Sequence, residues 1–225
     1  GQSTRKGVLL YGPPGAGKTH TIRYILSNLP DRTTVMIAGD QIYQLPRYMA
    51  LAKSLQPSIV VLEDVDLIGR ARDLHSISAT EAMLNNLLNE MDGLSTTADV
   101  LFILTTNRPE ILEPALAMRP GRIDAAIEVP LPNHDCRRRL IELYGASLTI
   151  DPATIAVAAG RTDGASAAYM KEFVRQIAQN SLERGGGGHV TLEDVRTVLA
   201  ETIENGSHFG RRTVGFSRAG DPAAD

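Results

Sequence analysis

The chain predicts an α/β fold: a five-stranded parallel sheet flanked by helices, followed by a small all-helical domain. Two observations carry that expectation. Between Gly7 and Val129, near-continuous apolar runs alternate with segments of helical period, as expected of strands covered on both faces. After Pro130-Leu131-Pro132 the strand-like runs stop, and the segments up to Glu204 read as helices.

The predicted strands are Gly7–Tyr11, Thr33–Ala38, Ser58–Glu63, Val100–Thr105 and Ala126–Val129. Gly17–Leu29 reads as a helix, as does Leu45–Leu55 with Pro46 in its first turn, where the missing N–H costs nothing. Ser78–Leu94 is the clearest helix of this half. Ser78 and Glu81 make a capping box, Met83, Leu84, Leu87, Leu88 and Met91 form one stripe, and Gly93 ends it. Four more helices follow, His134–Tyr144, Pro152–Ala159, Gly164–Arg184 and Thr191–Glu204. In the third, Met170, Phe173, Val174 and Ile177 share a face; Gly185–Gly188 is a flexible loop, and Thr191 caps the last helix. The expected domains are therefore 1–132, an α/β core, and 133–204, a helical lid hinged near Pro132. Residues 205–225 turn Gly-, Ser- and Arg-rich, the composition of a disordered tail.

Composition narrows the function. A net charge of −3 over 225 residues offers no basic footprint for nucleic acid. The run Arg137-Arg138-Arg139 reads as a solvated helix face. A single cysteine, Cys136, excludes an intrachain disulfide and suits a reducing compartment. The five histidines lack metal-ligand spacing. No apolar stretch has the length of a membrane span and no signal peptide is visible, so the expectation is a cytoplasmic protein without a membrane partner. Opening at Gly1 without an initiator methionine, and running at once into a strand, the chain reads as an excised domain.

The chemistry begins at Gly12-Pro13-Pro14-Gly15-Ala16-Gly17-Lys18-Thr19, which fits G-x-x-x-x-G-K-[ST] between a predicted strand and a predicted helix. In that context the pattern predicts a phosphate-binding loop of the P-loop kind. Its glycines let successive backbone N–H groups turn inward around phosphates, and the helix N-terminus adds partial positive charge. Lys18 reaches the β- and γ-phosphates, Thr19 offers its hydroxyl to Mg²⁺, and His20 completes the nucleotide-binding run. The second motif is IVVLEDVD, Ile59–Asp66, an apolar strand ending in carboxylates. The acid-bearing strand is expected beside the phosphate loop. Glu63 would hold Mg²⁺ through the metal's water shell, and Asp64 would orient the attacking water. Asp66, on the loop beyond, reads as structural. Asn107 follows the strand Val100–Thr105 and so reaches the same sheet edge as Asp64, in place to hold that water or touch the γ-phosphate.

In order along the chain, Gly12–Thr19, Ile59–Asp64, Asn89–Gly93 (NEMDG), Thr106-Asn107 and Arg119–Asp124 (RPGRID) closely resemble the motifs of the AAA ATPases, and the resemblance runs from Gly7 to about Glu204. It implies ATP/ADP and Mg²⁺ as cofactors and hydrolysis of ATP. It implies that Asn107 is a sensor, and that Arg119 and Arg122 are arginine fingers reaching ATP bound by the neighbouring subunit of a homo-oligomeric, hexameric ring. Asp163-Gly164-Ala165-Ser166 stands where the family has Ser-Gly-Ala-Asp, which places Gly164 and Ala165 close to adenine and ribose, with Tyr144 near the ribose.

Three departures bear on function. The acid pair is Glu63-Asp64, reversed from the family's Asp-Glu, so each carboxylate is one methylene from its usual reach and slow hydrolysis is expected. The segment between Asp40 and Arg47 lacks the family's aromatic-apolar-glycine pore loop; Tyr43 and Tyr48 nearby read as core rather than pore residues, and Arg70–His75, in place for a second, basic pore loop, reads as an exposed linker. The upstream segment that helps hold adenine in relatives does not precede Gly1 in this sequence. The leading function is an ATP-hydrolysing ring subunit that remodels an unidentified protein substrate. The alternatives are a nucleotide-dependent assembly switch with little hydrolysis, and a nucleic-acid loader or initiator, which the acidic charge counts against.

Overall fold

A computed structural model describes residues 6–67, 86–91, 98–110 and 123–209. Five strands form one parallel sheet: β1 (Lys6–Tyr11), β2 (Thr33–Ile37), β3 (Ser58–Leu62), β4 (Val100–Thr106) and β5 (Ala125–Glu128). Their spatial order is β2-β3-β4-β1-β5. One expectation is corrected here. The acid-bearing strand β3 does not lie beside β1; β4 separates them, paired to both. The composition of β4 explains its place, because six of its seven residues are buried and such a strand needs neighbours on both sides.

Period-two alternation sorts these apolar runs onto the two faces. Leu9, Val60, Leu62, Phe102 and Leu104 go to one side, where they meet Leu45, Met49, Leu87, Leu88 and Met91. Leu10, Ile59, Val61 and Ile103 go to the other and meet Ile22. Each such side chain contributes roughly 1.5–3 kcal/mol when fully buried. Helix α1 (Lys18–Ser27) follows the phosphate loop. A short 3₁₀ segment (Gly39–Gln44) leads into α2 (Leu45–Ser54), whose Pro46 sits in the first turn as expected. Tyr48 packs against the core, whereas Tyr43 is exposed. Of the predicted helix Ser78–Leu94, residues 86–91 are helical, with Leu87, Leu88 and Met91 buried. Its capping box, Met83, Leu84 and Gly93 lie outside the described residues, as do Arg70–His75.

Contacts divide the chain into two units, 1–13 with 18–129, and 14–17 with 130–225. The second unit holds α3 (His134–Tyr144), α4 (Pro152–Arg161), α5 (Ala167–Glu183) and α6 (Leu192–Phe209). Asn133, Asp151 and Ser166 cap the first three through side-chain oxygens. Thr191 and Asp194 cap the fourth reciprocally: Asp194 Oδ2 accepts from Thr191 N at 2.7 Å, and Thr191 Oγ1 from Asp194 N at 3.4 Å. The core contains Met170, Phe173, Val174 and Ile177, as the sequence stripe predicts, together with Ile141, Ala158, Ala165 and Val195.

Three details of this unit differ from expectation. It is helical except for a two-residue parallel pairing, β6 (Thr149–Ile150) with β7 (His189–Val190), which are runs too short to show periodicity. Helix α6 continues through residues 205–209, assigned above to the tail, despite the poor helix formers Asn205, Gly206 and Ser207; residues 210–225 lie outside the described residues. Arg137, read as part of a solvated face, is only 4% exposed. Its Nε donates to Ala159 O at 3.0 Å and its Nη1 to Pro132 O at 2.9 Å, while Nη2 lies 3.0 Å from the exposed Asp163 carboxylate. A buried guanidinium is stable when its donors are matched in this way.

Candidate functional site

The chain leaves β1 at Gly12, where φ is +146° and a Cβ would lie 2.2 Å from Val129 O, so no other residue fits. Pro13–Gly17 then turn into α1, whose first residue is Lys18. Thr19 and His20 are exposed in the first helical turn. Lys18 itself is 7% exposed, and its ammonium is spent on three oxygens. Nζ donates to Gly12 O at 2.8 Å, to Pro13 O at 3.1 Å and to Asn107 Oδ1 at 2.7 Å. Burial pushes the Lys18 ammonium below the usual lysine range, and the carboxylates of Asp64 and Asp66 oppose that shift.

The sheet order makes the next link possible. Asn107 follows β4, which lies between β1 and β3. Its Oδ1 faces Lys18 on one side, and its Nδ2 donates to Asp64 Oδ1 at 3.1 Å on the other. Three of the residues named from sequence are thus brought together: Lys18, Asn107 and Asp64.

Asp64 has φ +50°, the left-handed region, and among the described residues it is the non-glycine residue found there. Aspartate tolerates that region better than most side chains. Its backbone N donates to Thr105 Oγ1 at 2.9 Å, which ties the end of β3 to the end of β4. Glu63, immediately before it, has a buried Oε1 with no hydrogen-bond partner. A carboxylate oxygen left unsatisfied at the strand end suits a hydrated cation, which Glu63 and Thr19 would hold. Among the described residues no group of three His, Cys, Asp or Glu forms a metal cage. Mg²⁺ needs none, since it keeps several of its own waters.

Two carboxylates matter more than the sequence reading allowed. Asp66 lies in the 3₁₀ turn Val65–Leu67 and is 5% exposed. Its Oδ1 accepts from Thr106 Oγ1 at 2.8 Å and from Asn107 N at 3.0 Å. Asp124, the last residue of the RPGRID run, exchanges two bonds with Gly7: its N donates to Gly7 O at 2.8 Å, and its Oδ2 accepts from Gly7 N at 2.9 Å. The signal for Asp66 was its burial beside an apolar strand, a costly place for an acid without donors.

Arg119 and Arg122 lie outside the described residues. In the second unit Gly164 has φ +74°, and Ala165 is fully buried in the helical core. Tyr144 packs on that same core. No helix among the described residues is long and apolar enough to cross a membrane.

Comparison with known proteins points the same way as the geometry. Residues 8–131 match the model of the ATPase family associated with various cellular activities (AAA). The chain is 37% identical over 214 residues to the 26S proteasome regulatory subunit 10B of Dictyostelium discoideum, covering 88% of this chain and 53% of that protein. It is 34% identical over 211 residues to the proteasome-activating nucleotidase of Thermococcus onnurineus, covering 88% and 52%. To the 26S proteasome regulatory subunit 8 homolog of Schizosaccharomyces pombe it is 33% identical over 218 residues, covering 89% and 53%. The chain spans about half the length of these curated relatives.

Proposed function

The chain belongs to the AAA family of ATPases, and on that premise we propose that it binds and hydrolyses ATP as one subunit of a homo-oligomeric ring, coupling turnover to the remodelling of a protein partner. The observation that carries this reading is the hydrogen-bonded path Lys18–Asn107–Asp64, which gathers a phosphate-binding cation, an amide and a carboxylate at one sheet edge.

In this reading the backbone N–H groups of Gly12–Thr19, flanked by His20, cradle the phosphates and Lys18 contacts the β- and γ-oxygens. Thr19 and, through the metal's water shell, Glu63 would hold Mg²⁺, which when bound supplies positive charge against that developing on the phosphate. Asp64 orients a water toward the γ-phosphorus and takes up its proton as the bond to the β-phosphate oxygen breaks, releasing ADP and phosphate. Asn107 holds the γ-phosphate or that water. Arg119 and Arg122 serve the neighbouring subunit's ATP, an effect of about 10³–10⁵ in rate, so a subunit alone is nearly inactive. The head-to-tail contact this requires closes into a ring by rotation, six-fold by the family resemblance. Gly164 and the small Ala165 keep the loop before α5 slim enough to approach adenine and ribose. The names of the relatives, proteasome regulatory subunits and proteasome-activating nucleotidases, favour a protein partner over nucleic acid.

A second reading, a switch that binds nucleotide and assembles with little turnover, is favoured by the Glu63-Asp64 order and the left-handed backbone at Asp64. ATPase rate measured against protein concentration separates the two, followed by the same assay with Arg122→Ala subunits mixed in. A steep concentration dependence and poisoning by the variant are expected; nucleotide-driven assembly without phosphate release would select the switch.

A further inference from the structure

We propose that Asp66 is a positioning residue for ATP turnover, acting through Asn107. This rests on the ATPase reading above, to which it adds a residue that acts through another side chain. Asp66 Oδ1 binds the last residue of β4 and the first residue beyond it, through Thr106 Oγ1 at 2.8 Å and Asn107 N at 3.0 Å. Thr106 Oγ1 in turn accepts from Arg108 N at 2.9 Å, so one carboxylate oxygen organises three consecutive residues, Thr106 to Arg108. On the facing side Asp64 N holds Thr105 Oγ1 at 2.9 Å.

These bonds begin where the β3–β4 ladder stops. Its last register pair is Leu62 with Leu104, while the β1 side of β4 stays paired through Tyr11 with Thr106, so beyond Leu104 only the β3 side lacks a regular mainchain partner. Side chains take over: Thr105 is tied to Asp64, and Thr106 and Asn107 to Asp66. With its backbone N–H fixed, Asn107 is left only its side-chain torsions, and its amide spans from Lys18 at 2.7 Å to Asp64 at 3.1 Å. A carboxylate 5% exposed is costly to bury, and this one is matched to donors that all serve the aim of Asn107. Loosening the anchor shifts the amide by a fraction of an ångström to an ångström, and a displacement of that size costs on the order of 100-fold in rate. The phosphate loop is untouched, so nucleotide binding persists.

The test compares Asp66→Ala and Asp66→Asn with wild type in the full chain, reading ATP turnover, affinity for Mg-ADP, thermal midpoint and exchange of the Asn107 backbone amide. Asp66→Ala is expected to lose on the order of 100-fold in kcat, to keep ADP affinity within about threefold, and to expose the Asn107 amide to exchange. Asp66→Asn keeps an acceptor oxygen and restores most of the rate. Unchanged turnover in Asp66→Ala, or a fall in affinity as large as the fall in kcat, overturns the proposal. Should Asp66→Ala not fold, Thr106→Val removes one of the two bonds, and wild-type turnover with an equally protected Asn107 amide overturns it. A wild type without turnover would sink the ATPase reading instead; amide exchange then decides, since an Asn107 amide as protected in Asp66→Ala as in wild type shows that the anchor does not act.

Discussion

Lys18 Nζ donates to Asn107 Oδ1 at 2.7 Å, so the cation proposed to recognise phosphate is held by the residue proposed to sense it. A γ-phosphate drawn to Lys18 competes with that amide oxygen. Asn107→Ala removes the competitor and the sensor at once. ADP and ATP affinity should hold or rise by up to about fivefold, the worth of roughly one hydrogen bond, while turnover falls on the order of 100-fold. Calorimetric titration beside a steady-state phosphate-release assay checks both halves.

The reversed acid pair gives a second expectation. At φ +50°, position 64 suits aspartate better than the longer glutamate of the usual order. The double swap Glu63→Asp with Asp64→Glu should therefore cost stability, up to about 1 kcal/mol or a melting shift of roughly 2–4 °C. It should also raise turnover by restoring the family's reach. A swap that is more stable than wild type, or no faster, contradicts this account of the order. Asp64→Asn should lose on the order of 100-fold in kcat and still bind nucleotide.

Arg137 is the buried cation of the helical unit, with Ala159 O, Pro132 O and Asp163 around it. Arg137→Ala takes its donor from Pro132 O and one of two from Ala159 O, which Thr162 Oγ1 also reaches at 3.3 Å, and an unfolding curve should show a loss of about 2–4 kcal/mol. Arg137→Lys cannot fork to three acceptors and should recover only part of this. The neighbouring Arg138→Ala, whose partner Glu142 lies 3.7 Å away at the surface, should cost well under 1 kcal/mol.

Asp194 supplies a pH signature. The hydrogen bond from Arg184, with bonds from Thr191, holds its carboxyl at about 2, below the 3.8 of an ordinary aspartate, against the opposing effect of burial. A folded pKa below the unfolded one means the contribution is complete above about pH 4 and is lost as pH falls through about 2. Asp194→Asn should destabilise by on the order of 1 kcal/mol at neutral pH, allowing for solvent screening of Arg184. The gap from wild type should close in that acid window when denaturant melts are repeated down the pH series.

Much of this molecule is legible in its residues, and the illegible part has physical causes. Apolar runs such as Ile59–Leu62 and Val100–Leu104 announce buried strands because burial leaves its mark on each residue locally. The insertion of β4 between β3 and β1 is a fact of pairing between distant segments, and period-two patterns do not encode which neighbour a strand takes. The phosphate loop is readable because its glycines answer to backbone geometry, as at Gly12. Arg137 was misread as one of three like charges, yet it shares the spacing of Leu140, Ile141 and Tyr144 on the buried side of α3. Helical phase outweighs charge there. Asp66 was named structural without its purpose, because its partners at Thr106 and Asn107 lie forty residues away or more.

The central placement of β4 has an effect on how the chain tolerates length changes. Its registers, Tyr11 with Thr106 on one side and Leu62 with Leu104 on the other, are locked by two ladders at once. Deleting or inserting a single residue within Val100–Thr106 would send the side chains beyond it to the opposite, equally packed face of the sheet. It would also set a threonine or an arginine where Asn107 now stands. Indels in this stretch should therefore be purged from any library selected for function, whereas strand β2, paired on one edge alone, should accept them more readily.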